Sequence, residues 1–215
     1  ILYKASQAAT GGFKYSTTSA ITIAEFLKFC MSSIFLVFDT PKSEKSRVAN
    51  AISGAREQLS LMSVCHIVFL GFLYALNNQM SFYIYLTADP GTVFLFKASS
   101  TLIVATIQCS FVGKVFTFDQ WKAMVLQACG VVIVQYDPCK GGTIYPLFVY
   151  GCLTCSAVIT AVCTARNEFL VKNYAISLHL QNSVLYSSGA CLNLVAFLCL
   201  PNPNTDDRVG FFSGY

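Results

Sequence analysis

One long apolar run in this chain contains a single charged residue. The run extends from Gly91 to Gly113, and its only charge is Lys97. As an α-helix, at about 1.5 Å per residue, it would extend roughly 34 Å, against a hydrocarbon core of about 30 Å. A lone ammonium group at that depth costs about 3 kcal/mol, so such a lysine usually faces a wet cavity. The run therefore predicts a membrane-spanning helix whose lysine attracts an anion.

The composition extends the membrane assignment to the whole chain. Apolar residues make up 55% of the 215 residues, charged residues make up 11%, and the mean hydropathy is +0.59. Soluble domains carry about 25% charged residues. The net charge is only +4. There is no basic stripe with interleaved aromatic residues, so we do not expect a nucleic-acid partner.

The cysteines and histidines indicate neither a disulfide framework nor a metal site. Nine of the ten cysteines lie in apolar runs, where a free cysteine behaves as a small hydrophobic residue, and Cys139 lies in a loop. Cys152 and Cys155 form a C-x-x-C pair that no second pair or nearby histidine completes. His66 and His179 have no companions, and the sequence contains no catalytic triad, paired carboxylates or glycine-rich phosphate loop. We expect no metal, no cofactor and no enzymatic activity.

Six apolar segments, separated by turn residues and polar loops, are candidates for membrane spans. Asp39-Thr-Pro41 follows the first, and Asp89-Pro90-Gly91 follows the second. The sequence predicts an all-α, polytopic transmembrane helix bundle that forms a single domain over residues 1–215. The predicted spans are 15–38, 59–87, 91–113, 120–136, 144–165 and 177–200, with Asp39–Gln58 as a polar connection.

Lysine and arginine residues are distributed unevenly between the two sides of the predicted membrane. The side of the Asp39–Gln58 loop has eight: Lys42, Lys45, Arg47, Arg56, Lys114, Lys122, Arg166 and Lys172. The other side has four: Lys4, Lys14, Lys140 and Arg208. The positive-inside rule therefore predicts that the Asp39–Gln58 loop is cytosolic.

Two pairs of opposite charges lie in or beside the spans. Glu25 and Lys28 are three residues apart and share a helix face, while Glu168 and Lys172 are spaced i, i+4 at the end of the fifth span. The Glu25–Lys28 pair is either a structural ion pair that faces neighbouring helices or functional, and the Glu168–Lys172 pair is either a solvated helix end or functional.

Two groups of uncharged polar residues are candidates for ligand contact. They are Tyr74, Asn77, Asn78 and Gln79 in the second span, and Gln181, Asn182 and Tyr186 in the sixth. Amides in lipid either join helices through hydrogen bonds or reach a cavity, where they offer both a donor and an acceptor to a nucleobase. Tyr186 either stacks on a ring or packs against other helices. Both alternatives stay open for each group.

The order and spacing of several short motifs carry a resemblance to a known family. The motifs are Ser16-Thr-Thr18 with Glu25 and Lys28, Tyr74-Ala-Leu-Asn-Asn-Gln-Met80, Lys97, Gln120-Trp121 through Gly130 and Gln135, Glu168 to Lys172, Ser177-Leu178 with Gln181, Asn182, Tyr186 and Gly189, and Gly210-Phe-Phe-Ser-Gly-Tyr215. Together they resemble the nucleotide-sugar transporter family of the drug/metabolite transporter superfamily. The most similar members are those that carry UDP-sugars or CMP-sialic acid.

The resemblance implies part of a ten-helix fold of two inverted repeats, of which this chain would supply helices two to seven. It implies an antiporter that moves a UDP-sugar or CMP-sugar from the cytosol to the lumen in exchange for a nucleoside monophosphate. The expected location is the Golgi membrane, with the endoplasmic reticulum as the alternative. The expected partners are these two ligands and the lipid bilayer, and a homodimer is a further open expectation.

The family mechanism also suggests roles for the candidate residues. Lys97 would attract the phosphates, Asn78, Gln79 and Asn182 would bond the base or ribose, and Tyr74 or Tyr186 would pack against a ring. The two charge pairs would set helix packing and the cytosolic gate. Two other hypotheses compete with this one: a carrier of another organic anion, such as a phosphorylated sugar, and a membrane scaffold or receptor without transport.

Overall fold

The computed structural model describes residues 15–40, 46–139, 141–199 and 210–213. It contains eight helices in these ranges: α1 Thr17–Asp39, α2 Arg47–Gln58, α3 Leu61–Thr87, α4 Pro90–Ser99, α5 Thr101–Val112, α6 Phe118–Val134, α7 Leu147–Asn173 and α8 Leu178–Cys199. Several residues on which the predictions drew lie outside the described ranges, namely Lys4, Lys14, Lys42, Lys45, Lys140, Arg208, Gly214 and Tyr215.

The predicted all-α, polytopic architecture is confirmed. In the described residues five helical segments are long and apolar enough to cross a membrane: Thr17–Asp39, Leu61–Thr87, Pro90–Phe111, Leu147–Asn173 and Leu178–Cys199. α6 is an apolar helix of 17 residues. The strand pairing found in the described ranges is a two-residue antiparallel ladder between β1 (Tyr136–Asp137) and β2 (Gly142–Thr143), in the turn between α6 and α7.

Turn chemistry sets the start of α4 and of α6. The Asp89 carboxylate accepts hydrogen bonds from the backbone N–H groups of Gly91 at 2.8 Å and Thr92 at 3.4 Å, and Pro90 occupies the first helical turn. Thr117 and Gln120 form a reciprocal capping box at the start of α6. These side chains satisfy N–H groups that have no partner within the helix, so the short connections hold well-defined helix ends.

The third predicted span consists of two helices that meet at Ser100. The backbone of Ser100 has φ −65° and ψ −6°, which departs from α-helical geometry and separates α4 from α5. The Ser100 hydroxyl donates to the carbonyl of Lys97 at 2.6 Å, and the Thr101 hydroxyl donates to the carbonyl of Ala98 at 3.3 Å. Such hydroxyl bonds to the preceding turn compete with the regular helix ladder. The sequence prediction had one continuous helix here.

Two further segments differ from the sequence prediction. The polar connection 39–58 contains α2, which Ser46 caps by accepting a hydrogen bond from Ala49 N–H at 3.3 Å. α7 continues past Ala165 to Asn173, since the Lys172–Glu168 ion pair at 2.8 Å supports its last turns. The apolar-run criterion did not detect α2, whereas the i, i+4 spacing of Glu168 and Lys172 had indicated helix beyond the apolar part of the fifth span.

The chain divides into two compact units, which are described separately. The central unit comprises Asn77–Ala165, and the terminal unit comprises Phe13–Leu76 with Arg166–Tyr215. The core of the central unit consists of Ile84, Ala88, Val93, Val149 and Leu153, contributed by the end of α3, by α4, by the start of α7 and by the turn before α4. Aromatic residues, including Phe96 and Tyr150, pack around this core.

In the terminal unit α1 packs against α8 through small polar side chains. The Ser32 hydroxyl donates to the carbonyl of His179 at 2.8 Å, and the hydroxyls of Ser33 and Ser183 lie 3.5 Å apart. On α3, Gly71 lies against Ser188 and the carbonyl of Leu185, so the helix backbones approach closely there. Small residues commonly form helix contacts in membranes because lipid supplies little hydrophobic driving force between helices.

The close approach at Gly71 yields a stability prediction. A methyl group in Gly71→Ala would overlap the Ser188 hydroxyl and lie 3.4 Å from the Leu185 carbonyl oxygen. Because the Ser188 hydroxyl must give up its hydrogen bond to the Leu185 carbonyl to make room, we expect a loss of about 1 kcal/mol relative to Gly151→Ala, measured as a lower unfolding temperature in detergent. Gly151→Ala on α7 is the control, since nothing lies within 4 Å of a methyl there. Adding Ser188→Ala should restore part of the loss, and an unchanged Gly71→Ala melting temperature would refute the close packing.

Candidate functional site

Lys97 lies in the last turn of α4, and its side chain is exposed. Its ammonium nitrogen is 5.8 Å from the centre of the Tyr85 ring, within the range of a cation–π interaction. Within the described part of the chain, this ammonium group has no carboxylate partner. The negative end of the α4 dipole also favours a cation at this position. The local structure therefore stabilises the positive charge without neutralising it.

The amides that the sequence placed together on α3 have different environments. Asn77 accepts a hydrogen bond from the Ser156 hydroxyl at 2.7 Å and donates to the Thr160 hydroxyl at 3.4 Å, so it joins α3 to α7. Asn78 is half-buried, and its amide makes no hydrogen bond to any described residue. Gln79 and Tyr74 are both half-buried, and each already makes a polar or aromatic interaction within the protein. Of the two asparagines, Asn78 is the one with hydrogen-bonding capacity left for a ligand.

Gln135, which belongs to one of the recognised motifs, is part of a buried hydrogen-bond network. It is 5% exposed, accepts from the Tyr150 hydroxyl at 3.0 Å and donates to the Thr92 hydroxyl at 3.4 Å. This network ties the end of α6 to α4 and α7. Because all three side chains are engaged with one another, their arrangement fixes the helix that carries Lys97 within the central unit.

On α8, in the terminal unit, one candidate amide is again bonded within the protein while the adjacent one is not. Gln181 is 3% exposed and donates to the Asn167 side-chain oxygen at 2.7 Å, which joins α8 to α7. Asn182 is half-buried, and no described residue bonds its amide. Tyr186 is half-buried, and the Lys28 nitrogen lies 5.6 Å from its ring centre. Asn182 and Tyr186 therefore have faces available to a ligand, while Gln181 is used in packing.

Both predicted charge pairs have ion-pair geometry. The Lys28 nitrogen lies 2.8 Å from a Glu25 carboxylate oxygen, and Glu25 is buried at 8% exposure. Gly189 on α8 makes room for this carboxylate, because a methyl group there would lie 3.4 Å from its other oxygen. The Lys172–Glu168 pair, also at 2.8 Å, lies near the end of α7 with Lys172 largely exposed. The Glu25 carboxylate is thus packed against α8 while Lys28 stays exposed, and the Glu168 pair lies at the end of α7.

The candidate residues are divided between the two units. The central unit carries Lys97, Asn77, Asn78 and Gln79, while the terminal unit carries Tyr74, Gln181, Asn182 and Tyr186. The sequence did not indicate the partners that hold Lys97, Asn77, Gln181 and Gln135 in place. These partners are Tyr85, Asn167, Ser156, Thr160, Thr92 and Tyr150. Single hydroxyls, rings and amides on other helices carry no motif, so only the packing of the helices could identify them. In the described residues no cluster of three or more His, Cys, Asp or Glu side chains could hold a metal ion.

The two adjacent asparagines give a second prediction. Asn77→Ala removes the acceptor for Ser156 and the donor to Thr160, and should destabilise the protein by about 1 kcal/mol. Asn78→Ala removes no hydrogen bond to a described residue and should leave the unfolding temperature unchanged. Thermal unfolding of the purified variants in detergent measures both. Equal effects of the two substitutions would contradict the assignment of Asn77 to helix packing.

Comparison with known proteins gives a consistent result. The sequence profile described as nucleotide-sugar transporter matches residues 1–215. The chain is 26% identical over 199 residues to CMP-sialic acid transporter 2 of Arabidopsis thaliana, and 28% identical over 201 residues to CMP-sialic acid transporter 5 of rice, Oryza sativa subsp. japonica. Each of these matches covers 87% of this chain and 48% of the relative.

A relative with a different printed substrate also matches. A probable UDP-sugar transporter protein of Xenopus tropicalis is 23% identical over 213 residues, with 95% of this chain and 61% of the relative covered. The chain thus spans about half the length of the plant relatives. The resemblance inferred from the motifs is confirmed at the level of the family.

Proposed function

The chain belongs to the nucleotide-sugar transporter family, and on that premise we propose that the full-length protein is an antiporter of a CMP-sugar or a UDP-sugar. It carries the nucleotide sugar from the cytosol to the lumen of the Golgi, or alternatively of the endoplasmic reticulum. A nucleoside monophosphate returns in exchange. The similarity to relatives named for CMP-sialic acid and for UDP-sugars supports both substrate classes.

The observation that carries this proposal is the unneutralised Lys97 in an apolar span. At an effective dielectric constant of about 20, two opposite unit charges 4 Å apart attract by about 4 kcal/mol, against about 1 kcal/mol in water. A nucleotide sugar brings phosphate charges to such a site, and a nucleoside monophosphate does so on the return path. The same lysine therefore serves both directions of exchange.

The remaining candidates have complementary roles in the proposal. In this proposal Asn78, Gln79 and Asn182 bond the base or the ribose, and Tyr186 or Tyr74 packs against a ring. The Glu25–Lys28 and Glu168–Lys172 pairs set helix packing and the cytosolic gate during alternating access, in which the bound substrate is released on the opposite side. Asn77 and Gln181 act through helix packing, because their amides are already bonded to Ser156, Thr160 and Asn167.

Lys97→Gln in the full-length protein tests the phosphate role. We expect counterflow of nucleotide sugar into liposomes preloaded with UMP, CMP or GMP to fall at least tenfold, because the phosphates lose their cation. Lys122→Gln is the matched control, since Lys122 is an exposed lysine paired with Asp119 at the start of α6. Both variants should insert and purify normally. Wild-type counterflow in Lys97→Gln would remove the phosphate role, and no counterflow in the unmutated protein would favour a scaffold.

Asn78→Ala tests base recognition. Cytosine and uracil present different donors and acceptors, and an amide held in one orientation matches one of the two better, so loss of Asn78 should change discrimination between them. We expect the ratio of CMP-sugar to UDP-sugar counterflow to change by about fivefold or more, the equivalent of about 1 kcal/mol. Asn173→Ala, at the exposed end of α7, should leave the ratio unchanged. An unchanged ratio in Asn78→Ala would favour a carrier that does not read the base.

A further inference from the structure

Helix α2 has an exposed apolar face that no described residue covers. Val48 and Ile52, one turn apart, are 53% and 65% exposed. Ala51 is 6% exposed and faces the remainder of the terminal unit. The opposite side of the helix, including Asn50 and Ser53, lines a cavity of about 500 Å³. The helix is therefore amphipathic in the reverse sense to a soluble helix: its apolar side points away from the protein.

Chain connectivity places this face at the edge of the bilayer. Only Leu59 and Ser60 separate α2 from α3, so the two helix ends lie within roughly 10 Å of one another. The first residues of α3, Leu61 and Met62, are 82% and 64% exposed, as expected for side chains at the start of a lipid-facing span. Because α3 is a membrane-length helix, α2 lies at the membrane–water boundary.

The charges beside this face are basic. Arg56 follows Ile52 by one turn, is exposed, and makes no ion pair in the described part of the chain. Arg47 begins the helix, and its buried Nε atom has no hydrogen-bond partner in the described residues. The described acids nearby are directed elsewhere: Asp39 contacts His179 at 3.1 Å, and Glu57 lines the cavity on the other side of α2. The available complement is an anion at the membrane surface.

We propose that α2 is an interfacial helix that binds anionic phospholipids. Val48 and Ile52 insert at the boundary between head groups and acyl chains, while Arg47 and Arg56 contact the lipid phosphates. Apolar insertion combined with basic residues is the usual means by which amphipathic helices select anionic membrane surfaces. The predicted cytosolic location of the 39–58 segment matches the leaflet that carries anionic lipid.

Site-specific photo-cross-linking in the full-length protein tests this proposal. A benzophenone amino acid replaces Ile52 in one variant and Ser53, exposed on the cavity side, in the matched control. Both are reconstituted in phosphatidylcholine vesicles with a minor fraction of phosphatidylserine, irradiated, and analysed by mass spectrometry. Position 52 should form phospholipid adducts and position 53 should not. The fraction of adducts that contain phosphatidylserine should be about five times the fraction of this lipid in the bilayer. This factor corresponds to the binding free energy that one basic residue contributes near the surface.

Three outcomes would overturn the proposal. They are equal lipid adducts at both positions, adducts at position 52 with a second protein molecule instead of lipid, and adducts that follow the bulk lipid ratio. Arg56→Gln, tested with the label at position 52, should lower the phosphatidylserine enrichment while keeping the lipid adducts, since Arg47 remains. Arg56→Lys and the distant control Lys122→Gln should retain the enrichment. Loss of enrichment in Lys122→Gln would show that net charge, and not α2, attracts the lipid.

Discussion

The cost of leaving a polar group unbonded in hydrocarbon governs the interior of this protein. Water is not available inside the bilayer to replace a missing partner, so polar side chains on the spans must bond one another. Asn77 with Ser156 and Gln181 with Asn167 follow this rule, each joining α7 to a second helix. These bonds fix the registers of apolar helices whose hydrophobic surfaces would otherwise permit many packings.

Against this background the residues that lack partners are informative. Lys97 contacts an aromatic ring and lies at the negative end of α4, so its charge is favoured but has no neutralising acid in the described residues. Asn78 and Asn182 have amides that no described residue bonds, each within one residue of an amide engaged in packing. An ammonium group and free amides suit the phosphates and the base of a nucleotide, which agrees with the family assignment.

The interruption at Ser100 relates the backbone to the charged site. It ends α4 within one turn of Lys97, so the lysine lies at the negative end of that helix dipole. A continuous helix would surround the lysine with fully bonded backbone and would supply no terminal dipole. Serine and threonine at 100 and 101 compensate the interruption with their own hydroxyl bonds, so the break is tolerated at membrane depth.

Apolar length and turn chemistry, both local properties, determined the helical membrane class and most helix ends, including those at Asp89 and near Gly113. The ordered motifs also determined the family. The sequence could not distinguish Asn77 from Asn78, since adjacent amides differ only in what the next helix presents to them. Nor could it place Tyr85 beside Lys97, or show that α2 is a helix with its apolar face outward. Those features were decided by the tertiary structure, because a polar group's partner in a bundle lies on another helix, far away in sequence.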